Sequence, residues 1–359
     1  MSVISDEGKK AHKVKMNLGA SVRVNRCGLC ALVSVLVIVM MLYQFGGENE
    51  VKSDLPPEMI SLKSLLSAAI DAAERGGKNV YDVRVKAELN EKSKGKTLEN
   101  ANDPVTNGDI MSHRTMFQSL QRAFPSVKII SEEKDSITSD TVDPADITRQ
   151  DIGETLADNA FVPAPDIRVW IDPLDATQEY TENLRQYVTT MVCVAVKGYA
   201  TIGVIHKPFE HYTAWGWAGK TTSPDLQAAV AQGSTSSTGD LTRVIVSRSH
   251  HGEVSGLAMS AFGEKTNITY AGGAGYKTLE VIKGQADLYL HITRIKKWDL
   301  CAGNAILNAL DGKMTTLDGK VLDYGSEAEY LNNGGLVATL HSHAKYLKQV
   351  QEARKTKTE

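Results

Sequence analysis

The sequence lacks the features that would indicate a nucleic-acid-binding, disulfide-rich or zinc-containing protein. Its 359 residues include 40 basic and 43 acidic side chains, a formal net charge of −3, so no basic surface for a nucleic acid polymer is indicated. Cysteine is scarce: Cys27 and Cys30 lie in an apolar run, and Cys193 and Cys301 lie inside other apolar segments. This pattern predicts no disulfide framework and no zinc site, and it favours buried free thiols at Cys193 and Cys301.

One long apolar run stands near the N-terminus, where no charged side chain occurs from Cys27 to Phe45. A run of this length is sufficient to cross a bilayer as a helix. Basic residues precede it and acidic residues follow it, which places the N-terminus in the cytosol. We therefore predict a cytosolic tail over 1–26, a transmembrane signal-anchor over 27–46 and a luminal stem over 47–58. A cleaved signal peptide is the alternative, although its apolar region is normally shorter.

The sequence pattern over residues 59–353 predicts one folded domain that contains both helices and strands. Apolar side chains recur at helical spacing from Met59, and Gly76-Gly77 is expected to end that helix. The second half alternates strands with helices, which indicates an α/β fold, whereas the N-terminal half has an α+β pattern. Residues 219–240 are rich in Ser, Thr and Gly, which predicts an exposed loop near a subdomain boundary.

Two polar segments of the N-terminal half carry no clear periodicity. Residues 90–102 are expected to form a mobile loop, and residues 134–166 a surface insertion. Between them, Thr106 is placed to cap a helix that continues to Ala123 and carries Asp109 in its first turn.

The stretch Asp172-Pro173-Leu174-Asp175-Ala176-Thr177 follows an apolar strand. Pro173 has no N–H group, so the strand is expected to end there. Two carboxylates three residues apart, with the carbonyl of Leu174 between them, suit a hard cation such as Mg²⁺. The alternative is a turn that only ends the strand. Thr177 is placed to orient a water or pass on its proton and also to cap the next helix, two roles that are compatible.

Carboxylates recur wherever a strand ends or a helix begins. Each has an ordinary explanation alone: a helix first-turn acid at Asp109, a surface charge at Glu132, a helix cap at Asp299. Together with Asp172 and Asp175 they would repel one another, and divalent cations remove that cost. Two metal ions about 4 Å apart suit the hydrolysis of a phosphate ester. The absence of a histidine–cysteine ligand set favours Mg²⁺ over Zn²⁺.

Two later segments are candidates for binding the rest of a substrate. The glycine-rich stretch Gly272–Gly275 lies between a strand and a helix and is followed by Lys277, an arrangement that admits an anion at a helix N-terminus. The stretch Ser247-Arg248-Ser249-His250 leaves a strand end with hydroxyl, guanidinium and imidazole groups. A flexible turn and a helix cap are the simpler explanations of these segments.

The order of these motifs resembles a known family. V-T-N-G-D ending at Asp109, E-E at Glu132, D-P-L-D-A-T from Asp172 and W-D-x-x-A around Asp299 resemble the lithium-sensitive, Mg²⁺-dependent inositol-monophosphatase-like phosphatases, over about residues 60–350. Within that family, the V-S-R-S-H, G-G-A-G-Y-K and K-K-W-D motifs are most similar to the 3′-nucleotidases that act on adenosine 3′,5′-bisphosphate. With the signal-anchor, the chain is similar to their Golgi-resident members, which share the Ala at position 176 where many relatives have Gly.

The resemblance implies a layered αβαβα sandwich, here preceded by one transmembrane helix, and a site that binds two or three Mg²⁺ ions and is inhibited by Li⁺. Carried over residue by residue, it implies metal ligation by Glu132, Asp172, the carbonyl of Leu174, Asp175 and Asp299. It also implies a catalytic pair of Asp109 and Thr177, and nucleotide contacts from Ser247, His250, Gly273 and Lys277.

The function that the resemblance implies is hydrolysis of adenosine 3′,5′-bisphosphate to AMP and phosphate in the Golgi lumen by a single-pass type II membrane protein. Such an activity clears the by-product of sulfotransferases and supports sulfation of glycosaminoglycans. The sequon at Asn267 is compatible with a luminal glycoprotein. An inositol phosphate phosphatase is the alternative enzyme, because it uses the same carboxylates. A non-catalytic binding protein is disfavoured, because every motif position is filled. The oligomeric state is not indicated.

Overall fold

A computed structural model describes residues 56–96, 102–134, 141–233, 241–248 and 251–356, together with the isolated positions Ser34 and Met40. Apart from those two positions, the predicted tail and signal-anchor lie outside the described residues, as does most of the stem. Within the described ranges, no helix combines the length and the apolar character needed to span a membrane. Residues 57–359 group into one compact unit.

Helices and strands of this unit are numbered in chain order. The helices are α1 Leu62–Val85, α2 Asn107–Ala123, α3 Gln150–Thr155, α4 Thr177–Thr181, α5 Pro224–Gly233, α6 His251–Phe262, α7 Ala274–Ile282, α8 Lys297–Ala309 and α9 His343–Thr356. The strands are β1 Met59–Ser61, β2 Lys92–Lys96, β3 Asn102–Val105, β4 Lys128–Ser131, β5 Phe161–Pro163, β6 Ile167–Asp175, β7 Thr189–Val196, β8 Tyr199–Lys207, β9 Tyr212–Trp217, β10 Thr221–Thr222, β11 Arg243–Ser247, β12 Asn267–Ala271, β13 Leu288–His291, β14 Ile295–Lys296, β15 Lys313–Thr315, β16 Leu331–Asn332 and β17 Leu336–Thr339.

Two large sheets and three helix layers form the body of the domain, and the described residues also contain three two-stranded sheets. The first sheet has the order β10-β9-β8-β7-β6-β4, and the second has the order β12-β11-β13-β17-β15. Helices α1 and α2 pack on the outer face of the first sheet, α7 and α8 contact strands of both sheets, and α6 and α9 cover the second. The order is therefore αβαβα, with one hydrophobic cluster between the sheets and one beneath each outer helix layer. The α/β class predicted from the sequence is confirmed.

Helix α1 continues through the two glycines that were expected to end it. A Cβ atom on Gly76 would lie 2.5 Å from the side chain of Met116 in α2, and one on Gly77 would lie 2.3 Å from the ring of His206 in β8. The glycines therefore permit close packing in mid-helix rather than termination, and the burial of this face outweighs their low helix propensity.

The segment predicted as a mobile loop over 90–102 contains an antiparallel hairpin. Strand β2 pairs with β3, with a register irregularity between Ser93 and Gly95. Residues 97–101, which connect the two strands, lie outside the described residues. The prediction of a loop was wrong because the polar composition of this hairpin carries no alternating apolar signal.

The insertion over 134–166 and the segment 219–240 are also more ordered than predicted. The insertion contributes α3 and β5, with β5 pairing to β1, and it buries Ala145, Ile152 and Leu156 against the first sheet. The second segment contains α5, followed by residues 234–240, which lie outside the described residues.

Cys193 in β7 and Cys301 in α8 form a disulfide, with their Cα atoms 5.6 Å apart. The prediction of free thiols was wrong at these two positions. The two residues are separated by 108 positions in the sequence and meet only because α8 packs on the first sheet. Sequence spacing holds no signal for such a pairing.

The close packing of α8 on the first sheet predicts that a side chain at Gly203 in β8 would lower the stability of the protein. A Cβ atom there would lie 2.1 Å from the carbonyl oxygen of Ala302 in α8, and the backbone cannot move aside without lifting the helix. Gly203→Ala is expected to destabilise the protein by about 1–3 kcal/mol or more, measured by thermal unfolding.

The matched control is Gly153→Ala, because Gly153 lies in α3 and a Cβ atom there would meet no atom of the described residues within 4 Å. That change is expected to be neutral or to stabilise by up to about 1 kcal/mol. Equal melting temperatures for the two variants would contradict the close approach of α8 to β8.

Candidate active site

The end of β6 is shaped by an irregularity in its pairing with β7. Asp172 pairs with Met191 and Asp175 pairs with Thr189, so the register shifts between the two aspartates. Pro173 lies within this bulge. The strand therefore continues to Asp175, and the prediction that it stops at Pro173 was wrong, because a bulge accommodates a residue without an N–H group.

Three carboxylates meet beside this bulge. Single oxygen atoms of Glu132, Asp172 and Asp299 all lie within 4.8 Å of one another. Glu132 follows β4, and its backbone N–H donates to the carbonyl of Ile171 in β6 at 3.1 Å. Asp299 lies in the first turn of α8, where it accepts from the N–H of Lys296 at 3.2 Å. Three elements far apart in the sequence thus supply one group.

Asp172 has an incompletely satisfied carboxylate. Its Oδ1 atom accepts from the backbone N–H of Leu174 at 3.1 Å. Its Oδ2 atom is buried and has no hydrogen-bond partner among the described residues. A buried carboxylate oxygen without a donor is costly unless a cation satisfies it. Because all the ligand atoms that the group offers are oxygens, the group fits a hard divalent cation such as Mg²⁺.

The pKa values of these carboxyl groups also indicate that the site favours a positive charge. Burial, followed by the charges of Glu132, Asp175 and Asp299, raises the pKa of Asp172 well above its ordinary value. Burial and the nearby Glu132 raise the pKa of Asp299 to about 8. In the protein without a metal ion, burial and the neighbouring carboxylates therefore disfavour the ionised form of both groups, and a bound cation would oppose both shifts.

Two lysines that the sequence did not single out as site residues lie beside Glu132. The Nζ atom of Lys296 is 2.6 Å from Oε1 of Glu132, and that of Lys94, on strand β2, is 3.5 Å away and also contacts Glu133. Burial acts to raise the pKa of Glu132, but the ammonium groups of Lys296 and Lys94 outweigh it and hold that pKa below its ordinary value. The K-K-W-D motif was a signal for Lys296, whereas nothing distinguished Lys94.

Asp109 and Thr177 contact each other as the resemblance implied. The Oγ1 atom of Thr177 lies 2.9 Å from Oδ1 of Asp109 and 3.1 Å from the carbonyl oxygen of Leu174. The other oxygen of Asp109 accepts from both the N–H and the hydroxyl of Thr106, each at 2.7 Å. Burial raises the pKa of Asp109 to about 7 against these hydrogen bonds, which is suitable for a general base near neutral pH.

Thr177 is the first residue of α4 and not its cap. The capping position is Ala176, whose φ of 71° lies in the left-handed region. That conformation is unfavourable for a residue with a Cβ atom. The prediction of Thr177 as the helix cap is therefore wrong, and its hydroxyl faces Asp109 instead.

Asp175 lies apart from the three-carboxylate group. Its two oxygens accept from the N–H groups of Ala274 and Gly275 at 3.0 and 2.8 Å, and Oδ2 also accepts from the hydroxyl of Thr189 at 3.0 Å. The N-terminus of α7 therefore binds a carboxylate of the chain itself. Gly273 is required there, because its φ is 66° and a Cβ atom would lie 2.9 Å from Asp175 Oδ2.

Three of the four candidate nucleotide contacts lie in the described part of the chain. Ser247 ends β11, and Lys277 in α7 is buried, with its ammonium donating to the carbonyl oxygens of Ala271 and Gly273. Burial lowers the pKa of Lys277, opposed by the charges of Asp175, Glu179 and Asp299. His250 lies outside the described residues.

Arg248 ties the end of β11 to α4, a contact that the sequence did not predict. Its guanidinium lies 3.2 Å from Glu179 and 3.0 Å from Glu182. Glu179 in turn fills the space beside Gly272, where a Cβ atom would lie 2.3 Å from the Glu179 carboxyl carbon. The glycine-rich loop, β11 and the helix that carries Thr177 are thus held together.

The chain belongs to the inositol monophosphatase family, whose model matches residues 61–355. It is 46% identical over 325 residues to the Golgi-resident adenosine 3′,5′-bisphosphate 3′-phosphatase of Mus musculus, a match that covers 87% of this chain and 86% of the mouse protein. It is 47% identical over 288 residues to inositol monophosphatase 3 of Danio rerio, which covers 78% of this chain and 82% of the zebrafish protein.

The fold is also found among solved structures. An IMPase/NADP phosphatase complexed with Mg²⁺ and phosphate superposes with a TM-score of 0.53 at 16% identity, covering 76% of this chain and 90% of that one. At this identity the similarity shows the fold alone.

The raised pKa values of Asp109 and Asp299 predict how stability depends on pH. Without a cation, the folded protein binds more protons than the unfolded chain between about pH 4 and pH 8, so stability falls as pH rises through this window. A cation bound by the ionised carboxylates displaces these protons. The increase in melting temperature on adding Mg²⁺ to chelator-treated protein is therefore expected to be larger at about pH 8 than at about pH 5.5. An equal increase at both pH values would contradict the assignment.

Proposed function

We propose that this chain is a Mg²⁺-dependent phosphoric monoester hydrolase, and that it removes the 3′-phosphate of adenosine 3′,5′-bisphosphate to give AMP. The observation that carries the proposal is the buried oxygen of Asp172 within a three-carboxylate group, which has no hydrogen-bond partner among the described residues, together with the Asp109–Thr177 pair. The name of the mouse relative, at 46% identity over most of both chains, supports this substrate.

The metal ligands proposed are the residues at the end of β6 and the two carboxylates that reach it. They are Glu132, Asp172, Asp299, the carbonyl of Leu174 and Asp175. The first three form the observed group, and the last two adjoin it through the bulge. Asp175 has its two oxygens engaged by α7 and Thr189, so its ligation rests on the one lone pair left on Oδ1. Two or three Mg²⁺ ions and inhibition by Li⁺ are proposed on family grounds.

The proposed reaction uses both the metal ions and side chains of the protein. When bound, Mg²⁺ neutralises charge on the phosphate and lowers the pKa of a coordinated water. The Thr177 hydroxyl has one proton and two acceptors within reach, Asp109 Oδ1 and the Leu174 carbonyl. Donation to Asp109 leaves the lone pairs of Thr177 Oγ1 free to accept from a water. Asp109 then receives the proton that passes through Thr177, while Thr106 holds the second carboxylate oxygen in place.

The nucleotide contacts proposed are Ser247, His250, Gly273 and Lys277. Ser247 ends β11 opposite Ala271, and a Cβ atom on Gly273 would lie 2.9 Å from Asp175 Oδ2. Lys277 brings a buried ammonium to the glycine-rich loop, and a phosphate at the loop would gain a charge-assisted partner in place of backbone carbonyls.

An inositol phosphate phosphatase is the second candidate. The zebrafish relative named inositol monophosphatase 3 supports it at 47% identity. The metal site does not distinguish the two substrates, since both are phosphate monoesters. The residues at the end of β11 and in the glycine-rich loop must make the distinction.

The proposed location is the Golgi lumen, with a single-pass type II anchor over 27–46 and the phosphatase domain over 59–353. Three observations support a luminal domain: the Golgi-resident name of the mouse relative, the disulfide between Cys193 and Cys301, and the exposure of Asn267 in its sequon. Disulfides persist in secretory compartments and are rare in the cytosol. A role in clearing the by-product of sulfotransferases, and so in glycosaminoglycan sulfation, follows from this location and substrate.

A substrate panel tests the reaction. Purified full-length protein with Mg²⁺ is expected to release phosphate from adenosine 3′,5′-bisphosphate faster than from inositol monophosphates. Asp172→Asn is expected to lower kcat by more than about 100-fold, since even outer partners of a metal ion contribute about 10–100-fold. The control is Asp318→Asn, at an exposed aspartate that pairs with Arg354. Preference for inositol monophosphates would favour the second candidate, and full turnover by Asp172→Asn would disprove the metal site.

The role of Thr177 is tested by a matched pair of substitutions. Thr177→Ala removes the hydroxyl that contacts Asp109 and is expected to lower kcat by about 10²–10⁴-fold. Thr177→Ser keeps the hydroxyl and is expected to retain most of the turnover. If both variants lose the same activity, the methyl group rather than the hydroxyl is what matters at this position.

A further inference from the structure

The disulfide connects the helix that carries Asp299 to the strand that pairs with the one carrying Asp172. Cys301 lies two residues after Asp299 in α8. Cys193 in β7 pairs across the ladder with Trp170, two residues before Asp172 in β6. The bond therefore joins the helix that presents Asp299 to the strand pair that presents Asp172. Both cysteines are buried, at 0–1% exposure.

The position of Asp299 depends on how α8 is seated on the first sheet. Two contacts other than the disulfide hold the N-terminal half of α8 against the first sheet. The backbone of Ala302 approaches Gly203 so closely that a Cβ atom would have no room, and the indole of Trp298 lies 6.3 Å from that of Trp170. The hydrogen bond from the N–H of Lys296 to Asp299 fixes the carboxylate relative to the helix but not relative to β6.

The close approach of acidic side chains acts against this seating. Three of them converge within 4.8 Å, and one oxygen of Asp172 has no donor among the described residues. Repulsion between Asp172 and Asp299 acts to move the start of α8 away from β6. Noncovalent contacts yield to such a force by small displacements, whereas a covalent bond one half-turn from Asp299 does not.

We propose that the Cys193–Cys301 disulfide is a positioning element for the metal site: it holds Asp299 against Asp172 in the geometry that a divalent cation requires. The inference rests on the metal site of the proposed function. The bond forms by thiol–disulfide exchange with an external disulfide, which is reduced to two thiols as the two cysteines lose two protons and two electrons. Cation affinity then depends on the oxidising compartment in which the protein folds.

The test is a calorimetric titration of Mg²⁺ into the full chain without substrate. The double variant Cys193→Ala/Cys301→Ala is expected to bind Mg²⁺ at least about tenfold more weakly than the wild type, the order of loss seen when groups that orient a ligand are removed. The matched control is Leu307→Ala, at a buried residue of the same helix and the same hydrophobic cluster. It is expected to lower the melting temperature while leaving the Mg²⁺ dissociation constant unchanged.

The outcomes separate this inference from the proposed function. Absence of Mg²⁺ binding by the wild type would disprove the metal site itself. Equal Mg²⁺ affinity of the wild type and the double variant would overturn the positioning role and leave a bond that only stabilises the fold. If the double variant does not fold, Cys193→Val/Cys301→Ala restores the lost volume. Failure of both to fold also overturns a role specific to the site.

A second measurement examines the bond directly. Wild-type protein is alkylated in denaturant without reductant, and the labelled peptides are mapped by mass spectrometry. Cys193 and Cys301 are expected to be unlabelled until a reductant is added. Labelling of both before reduction would overturn the proposal.

Discussion

Burial of like charges at the end of β6 is the constraint on which the rest of the structure depends. Burial raises the pKa of both Asp172 and Asp299, and the charge of Asp299 raises the pKa of Asp172 further. Such an arrangement persists only where packing holds the elements together and where a cation is available. The lysines beside Glu132 supply part of the missing charge, and the buried oxygen of Asp172 indicates that part of it comes from outside the chain.

The packing that meets this constraint is built from close backbone approaches. Gly203 admits α8 to the first sheet, and Gly273 admits the N-terminus of α7 to Asp175. The disulfide adds a covalent link at the same interface. Helices α8 and α7 therefore both begin near the end of β6. Helix α8 contributes the carboxylate of Asp299, and α7 contributes backbone N–H donors. Because these parts are regular elements rather than loops, the site is held rigidly, which suits in-line chemistry on a phosphate.

The proposed metal ligands and the proposed nucleotide contacts come from different parts of the fold. The carboxylates come from the first sheet and from α8, whereas the candidate nucleotide contacts come from the second sheet and α7. A family that keeps the first set and varies the second can act on different phosphate esters, which is consistent with relatives of similar identity that are named for different substrates. Arg248 joins the two sets by holding α4, and with it Thr177, against the end of β11.

The sequence by itself determined what depends on neighbouring residues: the alternation of strands and helices, the cap formed by Thr106 and Asp109, and the order of the motifs that indicate the family. Tertiary structure alone decided the continuation of α1 through Gly76, the pairing of Cys193 with Cys301, the approach of Lys94 to Glu132 and the engagement of Asp175 by α7. The physical reason is the same in each case. Local propensity is encoded over a few residues, whereas each of these contacts joins segments tens to more than a hundred residues apart, and only the packing of the layers brings their side chains within reach.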